Sequence, residues 1–106
     1  MRYTVRLTVR ATKDLENVRN YIGQSSVEAA NRWHNGFLNA LLRLENNPEL
    51  RSLAPECKEF PFELRQFFFR TKSRLANRAL FMIVGDEVRI LAIRRPGQPL
   101  VMTDDL

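Results

Sequence analysis

The segment Asn77–Val84, NRALFMIV, is apolar at every position from Ala79 onward. A strand with one wet face alternates apolar and polar residues. A near-continuous apolar run of this length is expected at the centre of a sheet, covered on both faces. Two further strand candidates flank it, Leu64–Arg70 (LRQFFFR) and Glu87–Arg95 (EVRILAIRR). Gly85-Asp86 is a tight hairpin signal between the second and third, and Thr71–Ala76 joins the first and second. The C-terminal half therefore predicts an antiparallel three-stranded meander.

The N-terminal half must supply a cover for that sheet. Tyr3, Val5, Leu7 and Val9 alternate with Arg2, Thr4, Arg6, Thr8 and Arg10, the period-2 pattern of a half-buried strand with a basic wet face. Thr12 is placed to cap a helix, with Asp14 and Glu16 in its first turn and Leu15, Val18 and Ile22 on one face. Gly23 and Gln24 end it. Ser25 and Glu28 have capping-box spacing, and Ala30, Trp33, Phe37, Leu41 and Leu44 form the stripe of a second helix, widened by Leu38 and Leu42. Gly36 in this helix costs about 1 kcal/mol of propensity and permits close approach of another element. Asn46-Asn47-Pro48 stops the helix, and residues 48–63 form an acidic, Pro-interrupted connection containing Glu49, Glu56, Glu59 and Glu63. Pro96-Gly97-Gln98-Pro99 breaks the last strand. The order is β-α-α-β-β-β, an α+β fold. A helical hairpin packs on one face of a mainly antiparallel four-stranded sheet, the first strand joins an edge, and the opposite face is left for function.

A chain of 106 residues has room for one domain, spanning residues 1–106. Its 17 Lys and Arg against 12 Asp and Glu give a net charge of +5, which points to an acidic partner. The single cysteine, Cys57, excludes an internal disulfide and suits a reducing compartment. No apolar run reaches the ~18 residues of a membrane helix, and the start does not read as a signal peptide; a cytoplasmic location with no membrane partner is expected.

The charge is concentrated. Between Arg65 and Arg95 stand eight basic residues, Arg65, Arg70, Lys72, Arg74, Arg78, Arg89, Arg94 and Arg95, against Asp86 and Glu87, a net of +6 that exceeds the charge of the whole chain. Arginine's planar fork suits phosphate and carboxylate. Arg65, Arg70, Lys72, Arg74, Arg78, Arg94 and Arg95 are therefore the candidate binding residues for a target or inhibitor. Arg70 and Arg78 have few acidic neighbours in sequence, so their replacement is expected to spare the fold. Of Phe67, Phe68 and Phe69, at least two rings are expected in the core. Acid–base candidates are scarce: His34 is the only histidine and sits mid-helix, so it reads as structural. One His and one Cys do not make a zinc site, and Gly23, Gly36, Gly85 and Gly97 are isolated, so neither a metal nor a cofactor is expected.

The stretches YTVRLTVRATKDLENVRNYI, EAANRWHNGFLNALLRLENNPEL and LRQFFFR…NRALFMIVGDEVRILAIRR together resemble the RelE/ParE superfamily of toxins from bacterial type II toxin-antitoxin systems, over essentially residues 3–98. The resemblance implies a protein held inactive by a cognate antitoxin and meeting operator DNA only through the antitoxin complex. It also separates two branches. RelE-like members cut messenger RNA on the ribosome with basic residues on the second strand, arginines on the third strand and after the fourth, and often a C-terminal Tyr or His. In this chain Arg78 and Arg70 are the weak catalytic candidates. Gln66 and Phe68 stand where the lysines are expected, Gln98 near the place of the last arginine, and no Tyr or His follows Arg95. These gaps favour the ParE-like branch, which inhibits DNA gyrase. The alternatives are a ribosome-dependent ribonuclease with a reduced catalytic set and a non-toxic nucleic-acid-binding module, so whether the chain is an enzyme stays open.

Overall fold

The computed structural model describes residues 2–71, 76–102 and 106. Strand β1 (Thr4–Leu7) leads into helix α1 (Val9–Gly23), followed by α2 (Val27–Leu41), a run of 3-10 turns, and strands β2 (Arg65–Arg70), β3 (Ala76–Val84) and β4 (Glu87–Arg94). The sheet order is β1-β4-β3-β2. β4 and β2 flank β3 antiparallel, and β1 lies parallel to β4, with Thr4 beside Glu87 and Leu7 beside Ile90. The expected α+β architecture holds, with β1 at an edge. Gly85, at φ +61°, makes the β3–β4 turn.

The junction of β1 and α1 differs from the sequence expectation. The alternation in sequence runs on to Arg10, but the strand stops at Leu7, and Thr8 rather than Thr12 caps the helix. The Thr8 N–H donates to Ile90 O at 3.0 Å. Its hydroxyl donates to the same carbonyl at 2.9 Å and accepts from the Ala11 N–H at 3.2 Å. One residue thus closes the parallel ladder and opens the helix. Val9, read as core-facing, is exposed, while Ala11, Leu15 and Val18 are buried at helical spacing. The acidic first turn disappears with this shift. Asp14 instead takes the Ile93 N–H at 3.0 Å and pairs with Arg10, tying α1 to the end of β4. The second cap also moves by one residue: Ser26, rather than Ser25, accepts from the Ala29 N–H at 3.1 Å.

Both faces of β3 are covered. Trp33, Phe37, Ala40, Leu41 and Leu44 pack with Phe67, Ala79, Phe81, Ile90 and Ile93 under the helices. Gly36 admits Phe69 here, since a Cβ at that position would stand 3.3 Å from the Phe69 ring. Phe69 in turn meets Phe37 edge-on at 5.1 Å. Phe67 is buried, Phe69 half-buried and Phe68 exposed, which places two of the three rings in the core. Leu38 joins this core from the rim, while Leu42 is exposed. The opposite face is not left open as expected. Ala54, Leu64 and Val101 close over Leu80 and Ala92, with Phe60 and Phe62 around them. The apolar run that marked β3 as central already required this second cover.

The corrected helix start has a measurable consequence. Thr8→Ala is expected to cost about 1–2 kcal/mol in urea unfolding, because it removes a cap and a link to β4. Thr12→Ala, whose hydroxyl makes only an exposed bond to Thr8 O, is expected to stay within about 0.5 kcal/mol.

Candidate functional site

The register sets Phe68, Arg78 and Arg94 opposite one another across β2, β3 and β4. Paired residues of neighbouring antiparallel strands share a face. This row lies on the face away from the helices, because Arg78 and Arg94 are each two residues from Leu80 and Ala92 of the second core. Phe68 is exposed, and the Arg70 guanidinium lies 5.8 Å from its ring centre.

Arg78 is not short of acidic company, contrary to the sequence expectation. Its two terminal nitrogens donate to the two carboxylate oxygens of Glu56 at 2.7 Å each, and one also reaches Gln66 Oε1 at 3.2 Å. Glu56 is 1% exposed and is the one buried charged residue among those described. It also accepts the Val101 N–H at 3.0 Å. Burial alone would push this carboxyl up. The hydrogen bonds from Arg78 and the Val101 amide outweigh burial and hold it below its ordinary value. The sequence reading placed Glu56 in an acidic connection and missed this role. The available signal was Arg78 itself, since a cation on a strand covered on both faces needs a carboxylate within the cover.

The remaining candidates do not form one patch. Arg94 donates to Pro99 O at 2.6 Å, and its Nε is buried without a hydrogen-bond partner among the described residues. Arg95 turns toward the helices and lies 5.3 Å from the ring centre of Tyr21 on α1. Arg65 alternates to the helix side of β2, where it donates to Arg51 O at 2.7 Å and to Glu63 at 3.0 Å. Lys72 and Arg74 lie outside the described residues. At the other end of the sheet Glu87 pairs with both Arg6 and Arg89, and the Arg89 hydrogen bond is the main cause of its lowered pKa. His34 is half-buried, its pKa lowered by burial and then by Arg19, and its Nδ1 lacks a hydrogen-bond partner among the described residues.

A second feature is a groove at the helical hairpin, expected as an antitoxin site, whose place and lining the sequence did not give. Where the end of α1, the start of α2 and the end of β2 meet, Ile22, Ala29, Trp33, Phe69, Arg32 and Thr71 line a groove of about 660 Å³. An adjoining cavity shares Ile22, Trp33 and Thr71 and carries Arg95 on its wall. The Trp33 indole N–H is satisfied by Asn77 Oδ1 at 3.1 Å, so the ring is fixed as a floor. The groove is apolar within and cationic at the rim.

Two helices on one face of a four-stranded mixed sheet, with arginines at the strand ends, define a small β-α-α-β-β-β module. The model of the family described as ParE toxin of type II toxin-antitoxin system, parDE, matches residues 5–99, and the chain belongs to that family. A solved chain described as a chromosomal ParDE toxin-antitoxin system from P. aeruginosa shares the fold. It is 23% identical, with a TM-score of 0.69, over 89% of this chain and 96% of that one. No curated protein matches the sequence. Among the described residues no helix is long and apolar enough to cross a membrane.

The ion pair corrects the expectation that replacing Arg78 leaves the fold intact. Arg78→Ala leaves a buried carboxylate unpaired and is expected to cost about 3–5 kcal/mol in urea unfolding. The pH dependence has a definite sign. Because the folded Glu56 pKa lies below its unfolded value near 4.5, its contribution is present above that pH and is lost as the pH falls through the folded pKa. Unfolding curves from pH 6 to about pH 3 are expected to show this loss, and Glu56→Gln to flatten it.

Proposed function

We propose that this protein is the toxin of a type II toxin-antitoxin module, that it inhibits DNA gyrase, and that a cognate antitoxin neutralises it. Membership of the ParE toxin family over residues 5–99 carries the reading. The choice of gyrase over messenger RNA is supported by the side chains. Gln66 and Phe68 replace the second-strand lysines of the nuclease branch, and Arg78, the natural phosphate ligand of that branch, is engaged by Glu56. Proton transfer by a positioned acid or base contributes about 10²–10⁴ in rate, and arginine stays protonated near neutral pH, so it moves protons poorly.

The antitoxin is assigned to the groove on the helix side. An amphipathic segment would place apolar side chains on Trp33, Ile22 and Phe69 and acidic ones against Arg32 and Arg95. A segment disordered alone would fold as it covers this surface.

Induction in a bacterial host is expected to arrest growth with DNA breaks and an SOS response. Rapid translation arrest with cleaved messages would instead place the chain in the nuclease branch, and unimpaired growth would remove the toxin reading. Ala29→Glu tests the groove. Position 29 is the third residue of α2 after the Ser26 cap, where glutamate is favourable, so the fold is retained. Its carboxylate chain enters the groove and is expected to weaken antitoxin binding at least about tenfold by calorimetry, with toxicity retained.

A further inference from the structure

Two cavities open side by side where α1, α2 and the end of β2 meet, and together they form one trough. The larger, of about 660 Å³, has Ile22, Ala29, Trp33 and Phe69 as apolar walls and Arg32 at its rim. The smaller, of about 260 Å³, shares Ile22, Trp33 and Thr71 with it and ends on Tyr21, Pro96 and Arg95. Sites for small organic ligands measure roughly 300–1,000 Å³ and are mostly apolar, with a few polar groups at fixed places. The trough has that composition, and its polar groups gather at the smaller end.

Charge decides the head of the ligand. Among the described residues no Asp or Glu lines either cavity, so both guanidiniums stand without a carboxylate in the trough. Arg32 makes no hydrogen bond or ion pair among the described residues. Arg95 lies 5.3 Å from the Tyr21 ring centre, and its backbone N–H is held by Gln98 Oε1 at 2.6 Å, which keeps the guanidinium at the polar end. A guanidinium takes a carboxylate through two parallel hydrogen bonds. Shape decides the rest. Trp33 is only 7% exposed and its indole N–H is committed to Asn77, so little ring face is open to stack a planar ligand. A flexible alkyl chain follows such walls, and each methylene it buries raises affinity about fourfold.

We propose that the trough binds a free medium-chain fatty acid. The alkyl chain lies along Ile22, Ala29, Trp33 and Phe69, and the carboxylate meets Arg95 and the Thr71 hydroxyl. This site follows from the walls and charges alone and does not depend on which target the protein has. Its regulatory consequence rests on the reading above, in which an antitoxin segment fills the same groove: the fatty acid and the antitoxin then exclude each other.

Trp33 is the single tryptophan of the chain, so its fluorescence reports on the trough directly. Titration of the purified protein with sodium dodecanoate, kept below its micelle concentration, is expected to shift that emission saturably. The affinity is expected to exceed that of octanoate at least about tenfold. Dodecyltrimethylammonium, with the same chain and the opposite charge, is expected to give no saturable shift. Arg95→Gln is expected to weaken dodecanoate binding at least about fivefold, with the urea unfolding curve unchanged. No shift with dodecanoate, an equal shift with the cationic amphiphile, or parental affinity in folded Arg95→Gln each overturns the proposal. Ala29→Glu sets a carboxylate in the larger cavity and is expected to abolish binding; dodecanoate binding that survives it overturns the proposal even where Arg95→Gln fails to fold. A Trp33 shift on concentrating the protein alone assigns the trough to a second copy and overturns the proposal too. None of these titrations contains the antitoxin, so their failure is distinct from failure of the antitoxin assignment, which calorimetry of Ala29→Glu with the antitoxin tests.

Discussion

A sheet whose central strand is apolar on both faces must be covered twice, and this chain has two long helices, both on one side. The second cover is built from irregular backbone, the 3-10 turns before β2 and the segment after β4. Such a cover brings backbone polar groups and charged side chains into a dry space. The bidentate contact of Glu56 with Arg78 answers that problem. Its carboxylate neutralises the cation of β3 and satisfies the buried Val101 amide, so one side chain joins strand, loop and tail. Loss of either partner leaves the other charge buried without compensation.

How much of this was legible follows from how local each signal is. The β3–β4 hairpin, the stripe on α2 and the central place of β3 are carried by hydropathy and turn chemistry within a few residues, and they appear where the sequence puts them. The β1–α1 junction was misplaced because Val9 and Arg10 continue an alternation that the backbone has already left. What ends the strand is the bond of Thr8 to Ile90, a partner 82 residues away. Glu56 was illegible as an individual for the same reason. Four glutamates occupy residues 48–63, and only the folded path of the chain selects the one that meets Arg78.

The candidate site divides in the same way. The concentration of arginine between residues 65 and 95 is a property of composition, and it was plain. Its partition is a property of strand alternation and register: Arg78 and Arg94 fall on the face away from the helices, Arg65 on the helix side, and Arg95 beyond the strand against Tyr21. A groove at the helical hairpin was expected, but its lining at Trp33 was not legible in sequence. Its walls come from three elements, and Trp33 and Phe69 read simply as core residues until α1, α2 and β2 are brought together.

The parallel pairing of β1 with β4 has a consequence for when this protein exists in its folded form. The first strand synthesised is completed by the last, with Thr4 beside Glu87. No strand partner for β1 is available until residues 87–94 have been translated. The helical hairpin waits for its sheet over the same interval, and long-range pairing of this kind is slow to form. The finished surface is thus completed only when β4 joins β1. For a member of a toxin family, the topology itself defers the finished surface until β4 is in place.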